Sequence, residues 1–161
     1  MQVGYVRPEH VSDTWPYIRE YARKVLSYTG GRKTEMKFLQ ELVSGQVHLW
    51  VAYDEERVCG FCTTRFTDYD SIRMLTGDLL AGEDFQEWKD PLNEALVFFA
   101  KGNGCDGIEL TGRMGWERML KDLGWKKTFT TVELRWDLED GQVEAAGSTD
   151  EPNSNANVDP V

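Results

Sequence analysis

Two acidic side chains stand among apolar neighbours in runs that read as strands: Asp78 within Ile72–Leu80, and Glu109 within Ile108–Thr111. A carboxylate in such surroundings loses hydration. Its pKa rises, and it becomes able to take a proton from an ammonium near neutral pH. Glu109 and, behind it, Asp78 are therefore the candidate general bases, with a solvated strand face as the alternative for each. Cys59-x-x-Cys62 has the spacing of a redox or zinc motif. It lies in a β-branched, apolar stretch where positions three apart face opposite ways. With two histidines in the chain, His10 and His48, and no second pair of this kind, no metal site is expected and both thiols are read as core. The most distinctive loop is Gly112-Arg113-Met114-Gly115-Trp116. A glycine-framed Arg113 beside Trp116 at a helix start could hold an anion or a partner's carboxylate. It could equally close a structural turn on an acidic neighbour. Phe85, Trp88 and Trp116 could form a docking surface, or each could fill core. No Gly-x-Ser-x-Gly elbow, Walker loop, dinucleotide fingerprint or EF-hand loop occurs.

The chain that must position these residues has 161 of them, 40% hydrophobic, enough for one domain with its own core. No run of eighteen apolar residues is present, so a membrane span is not expected. The opening Met1-Gln2-Val3-Gly4-Tyr5 lacks the basic and apolar regions of a signal peptide. With three cysteines and no disulfide framework, a cytoplasmic setting is expected. The net charge of −10 is unevenly spread. Residues 137–161 carry seven acids and no Lys or Arg, and of the 28 acids in all this leaves 21 against 18 bases, a net of −3, in the body. With no basic block, nucleic acid is not an expected ligand. The acidic segment lacks aromatics and is rich in Gly, Ser, Asn and Pro, so it cannot offset its ordering entropy and is read as a disordered tail.

Residues 1–136 alternate between strand and helix patterns. Val3–Val6 is a strand closed by Arg7-Pro8. Ser12 or Asp13 caps a helix running through Trp15, Ile18, Ala22, Val25 and Leu26. Met36, Leu39, Leu42 and Val43 trace a second helix ending at Gly45. His48–Tyr53, Val58–Phe66 and Ile72–Leu80 form a meander. Asp90-Pro91 reads as a helix start, N-cap followed by proline at the first position, and Gly102-Asn103-Gly104 as its end. A strand over Ile108–Thr111, a helix through Trp116, Met119, Leu120 and Leu123, and a last strand over Thr128–Trp136 complete the order β-α-α-β-β-β-α-β-α-β. This is an α/β (α+β) fold, with a mixed, mostly antiparallel sheet and helices on both faces.

That order resembles the GNAT N-acyltransferase superfamily. Glu94-Ala95-Leu96-Val97-Phe98-Phe99-Ala100, with Gly104-Cys105-x-Gly107-Ile108-Glu109-Leu110, is similar to the family's central helix and following strand. Leu120-Lys121-Asp122-Leu123-Gly124-Trp125 is similar to its "YEKLGF" segment, and Val6-Arg7-Pro8 to its first strand. The Gly112–Trp116 loop, with Leu80-Ala81-Gly82-Glu83-Asp84, resembles GNAT-like proteins of tailed phages, some of them internal virion proteins. The resemblance implies an acetyl-CoA site along Leu80–Pro91, with Leu80, Gly82, Trp88 and Lys89 against the cofactor.

It also implies that the site is eroded. The family's Gly-rich pyrophosphate loop aligns with Asp84-Phe85-Gln86-Glu87-Trp88-Lys89, where Glu87 and Lys89 replace both glycines. Glu83, Asp84, Glu87 and Asp90 add negative charge where a dianion should sit, and the tyrosine that protonates the departing thiolate is Leu120. Two functions remain open. One is a phage-type GNAT-fold protein without transfer chemistry, binding structural or host proteins in the cytoplasm or virion. The other is an active acetyl-CoA-dependent N-acyltransferase.

Overall fold

Short polar turns set the register of the sheet. In the computed structural model, which describes residues 1–112 and 115–136, Asp54 Oδ1 accepts from the backbone N–H of Glu56 and of Arg57 at 2.9 and 3.0 Å. This closes the hairpin between β2 (His48–Tyr53) and β3 (Val58–Asp68). Tyr69 N–H donates to Ile72 C=O at 2.9 Å, returning the chain into β4 (Arg73–Gly82). With β1 (Gln2–Val6) and β5 (Gly107–Leu110), the sheet has the order β1-β2-β3-β4-β5. The first four strands are antiparallel, and β5 joins β4 in parallel.

Helices cover both faces, as the sequence predicts. On one side α1 (Val11–Leu26) and α2 (Glu35–Ser44) bury Ile18, Ala22, Phe38 and Leu42 against Leu49, Val51, Phe61 and Leu79. On the other, α3 (Phe85–Gly102) buries Trp88, Leu92, Leu96 and Ala100 against Trp50, Ala52, Cys62 and Leu75. Residues of β2 and β3 alternate between the two cores, which is why these strands read as nearly continuous apolar runs. Both Cys59 and Cys62 are buried free thiols, and burial pushes Cys62 up to about 12. A short α4 (Trp116–Leu120) continues into a 3-10 turn over Lys121–Leu123. Among the described residues, no helix is long and apolar enough to cross a membrane, and no cluster of His, Cys, Asp or Glu could hold a metal ion.

Three elements depart from the sequence reading. α1 begins at Val11, out of a 3-10 turn over Pro8–His10, and neither Ser12 nor Asp13 caps it. α3 begins at Phe85 rather than at Asp90-Pro91. Trp88 pulls the first turn inward, being 1% exposed with its indole N–H on Glu83 C=O at 2.8 Å, and Pro91 is accommodated inside the helix. The strand expected over Thr128–Trp136 does not form. β5 offers a template of only four residues, and Glu133 ties the segment to Arg32 in the loop before α2, with Arg135 also on Glu133 at 2.8 Å. The acidic segment 137–161 and Arg113 lie outside the described residues.

Candidate active site

The parallel ladder of β4 and β5 runs from Met74 opposite Gly107 to Gly77 opposite Leu110 and stops there. Beyond Gly77, β4 continues through Asp78–Gly82 toward α3 without β5 beside it. The β3–β4 register changes at the same point: Thr63 lies opposite Leu79 and Thr64 opposite Gly77, leaving Asp78 unpaired in a bulge. Bulges of this kind re-aim a side chain out of the strand's alternation.

The four expected cofactor positions lie at the end of β4 and in the first turns of α3. Leu80 packs partly buried against the α3 core. Gly82, at φ +149°, lets the β3 backbone approach closely. A Cβ there would meet Cys59 C=O and Gly60 Cα, both at 2.5 Å. Its missing side chain thus serves strand–strand contact rather than a ligand. Trp88 is buried in the α3 core, edge-on to Phe85 at 4.8 Å between centroids, and Phe85 is edge-on to Trp116 at 5.4 Å. Trp116 in turn lies against the backbone at Gly112, where a Cβ would meet its ring at 2.8 Å. Lys89 donates to Asp122 Oδ2 at 2.7 Å, and this contact holds the Asp122 carboxyl below its usual range. Gln86, Lys89, Arg118, Met119, Lys121 and Asp122 line a cavity of about 320 Å³ between α3 and α4.

The helix start itself is anionic. Asp84 takes the N-cap position in a left-handed conformation, φ 54°, and its side chain caps nothing. Arg57 binds the carboxylates of both Glu83 and Asp84, the latter at 2.9 Å. A helix N-terminus favours negative charge. Here the protein supplies that charge itself, and Arg57 is shared between its two acids.

The two candidate bases are not brought together. Glu109 Oε1 accepts from Tyr69 Oη at 2.7 Å and Thr76 Oγ1 at 2.8 Å. The aimed-out Asp78 accepts from Lys33 Nζ at 2.7 Å and Arg65 Nη2 at 2.6 Å. Burial pushes the Asp78 carboxyl up, but hydrogen bonds from Lys33 and Arg65 together outweigh it and hold it below the usual range. A carboxylate stabilised in this way is a weaker base than the raised one expected from sequence. Leu120, at the position of the family's tyrosine, is buried. Sequence reasoning missed Arg57, Lys33, Glu41 and Arg65. Glu41 could have been found, since it lies between Phe38 and Leu42 on the buried stripe of α2.

This is the GNAT acetyltransferase fold. A probable acetyltransferase matches over 86% of this chain and 100% of its own, at TM-score 0.65 and 16% identity. The ribosomal-protein-alanine N-acetyltransferase of Brucella melitensis biovar Abortus 2308 matches over 84% and 100%, at 0.62 and 11%. AAC(6')-Iy, bound to the bisubstrate analogue CoA-S-monomethyl-acetylneamine, matches over 85% and 98%, at 0.62 and 14%. No protein-family model matches the sequence, and no curated protein matches it either. The likeness therefore lies in the fold. Glu87 and Lys89, the residues aligned from sequence with the two glycines of the family's pyrophosphate loop, lie here in the first turns of α3.

Proposed function

We propose that this GNAT-fold protein no longer transfers acyl groups and serves as a binding or assembly module, in a phage particle or a host complex. The observation that carries this is the start of α3. Two carboxylates, Glu83 and Asp84, stand at the helix N-terminus with Arg57 committed to both, where acyl-CoA would need free backbone N–H groups and no competing anion. Leu120 leaves the departing thiolate without a proton donor, a loss on the order of 10²–10⁴ in rate. Asp78, stabilised in its charged form, favours proton abstraction less than a raised carboxyl would. The particle setting follows from the likeness of the Gly112–Trp116 loop to phage GNAT-like proteins.

One feature favours the second reading, an acetyl-CoA-dependent N-acyltransferase. The cavity between α3 and α4 gathers Lys89, Arg118 and Lys121 against the single acid Asp122, a lining that suits phosphates. Calorimetric titration with acetyl-CoA separates the two. The binding-module reading expects no heat at millimolar ligand and no CoA release with a panel of amines. Micromolar binding that Lys89→Ala weakens, followed by turnover, would establish the enzyme instead.

A further inference from the structure

The surface between α3 and α4 carries more cations than its own acids match. Lys89, Arg118 and Lys121 line its cavity of about 320 Å³ against one carboxylate, Asp122. Asp122 is already taken: it accepts from Lys89 Nζ at 2.7 Å, and the Lys89 side chain is only 11% exposed. That leaves Arg118 and Lys121, both exposed and, among the described residues, without an ion-pair partner. Lys126 and Lys127 follow along the chain, exposed and equally unpaired. The other acids of the two helices, Glu87, Asp90 and Glu94 on α3 and Glu117 on α4, do not line the cavity, and Glu83 and Asp84 are held by Arg57. A concave surface with unmatched cations concentrates anions.

We infer that this surface is the docking site of the chain's own acidic segment, residues 137–161, whose carboxylates occupy the cavity in the resting protein. The segment carries seven acids and no Lys or Arg, the electrostatic complement of a surface with cations to spare. Four of those acids, Asp137, Glu139, Asp140 and Glu144, fall in its first eight residues, as many as the unpaired cations. The segment begins ten residues after Lys127, so the chain itself holds the two at an effective concentration on the order of millimolar. Its 25 residues reach at most about 80–90 Å when extended, enough to return from Trp136 to α4. The body as a whole has 21 acids against 18 bases, a net of −3 that disfavours a free polyanion and leaves the advantage to a tethered one. Exposed, salt-screened ion pairs hold the segment weakly, so a phosphate entering the cavity has to displace it. Docking of this kind depends on neither acyl transfer nor acetyl-CoA.

The test compares the wild-type full chain with a full-length variant carrying Asp137→Asn, Glu139→Gln, Asp140→Asn and Glu144→Gln. At low salt the amide resonances of Gln86, Lys89, Arg118 and Lys121 are expected to differ between the two proteins. The difference should vanish at about 1 M salt, where the range of exposed charges shrinks to about 3 Å. Reciprocally, Arg118→Gln with Lys121→Gln should move the resonances of Glu139, Asp140 and Glu144. Inorganic pyrophosphate should bind the neutralised variant about fivefold or more tightly than the wild type at low salt, because an occupied cavity lowers apparent affinity by the fraction left open. Coincident spectra, differences confined to Arg32 and the opposite face of the sheet, or equal pyrophosphate affinity, including none for either protein, would each overturn the assignment. So would a difference that disappears on dilution, which would give the cavity to the segment of a second copy.

Discussion

The network around Thr64 places a titratable ring inside the α3 face of the sheet. Trp50 Nε1 donates to Thr64 Oγ1 at 3.0 Å, and His48 Nδ1 lies 3.0 Å from the same oxygen. Phe66 and Phe99 stand edge-on to the imidazole at 4.7 and 5.1 Å. Burial, with a smaller contribution from Arg73, lowers the His48 pKa from its usual value. The unfolded chain therefore binds a proton here more readily than the folded one. Stability is full above the ordinary histidine pKa, about 6.5, and falls as pH drops from there through the lower folded value, by at most about 1.4 kcal/mol per unit for one proton. Thermal midpoints measured between pH 7.5 and 5.5 should fall in the wild type, and His48→Phe should flatten that dependence. An equal slope in both proteins would remove His48 as its source. At this scale the sequence showed which residues could do chemistry but not their partners. Asp78 was legible as a carboxylate amid apolar residues, whereas Lys33, 45 positions away, meets it only through the fold.

At the scale of elements, the junction of β4 with α3 rests on two glycines that let three backbone segments meet. A Cβ at Gly60 would meet Ala81 C=O at 2.6 Å, the Trp88 ring at 2.8 Å and Gly82 Cα at 2.9 Å. None of these is the end of a flexible side chain, so the strands must part or the indole must move. Gly60→Ala is predicted to destabilise by about 1–3 kcal/mol, the usual range for overpacking. In a domain of this size that lowers the midpoint by roughly 2–4 °C per kcal/mol. An unchanged midpoint would show that Trp88 is not wedged there. The same junction explains why the start of α3 was misread. Asp90-Pro91 is a good local start signal, but it competes with an indole whose burial and hydrogen bond to Glu83 reward one and a half turns more of helix. Where local signals were unopposed they held. Gly45, read as the end of the second helix, ends α2 at φ 77°.

Over the whole molecule, strand order, two-sided cover and crossover were readable because each core leaves its own apolar periodicity along the chain. The last predicted strand was not settled by periodicity. Residues 128–136 alternate as a strand should, yet Phe129, Val132, Leu134 and Trp136 are 87, 90, 76 and 83% exposed, and neither core includes them. Glu133 ties the segment to Arg32. Partly exposed ion pairs of this sort contribute about 0–1 kcal/mol. A chain ending at Lys127 is therefore predicted to unfold cooperatively, with a midpoint within about 4 °C of the full chain, a shift set by at most about 1 kcal/mol. If the nine residues instead completed the sheet against β5, their removal would strip apolar cover from a β-edge. The midpoint would then fall much further, and the near-UV signal of the core tryptophans would change. Trp125, whose indole N–H donates to Asn93 Oδ1 at 2.9 Å, stays in the shortened chain and keeps α4 anchored to α3. A large loss relative to a chain ending at Trp136 would thus belong to residues 128–136 and would restore the six-stranded sheet that the sequence pattern implies.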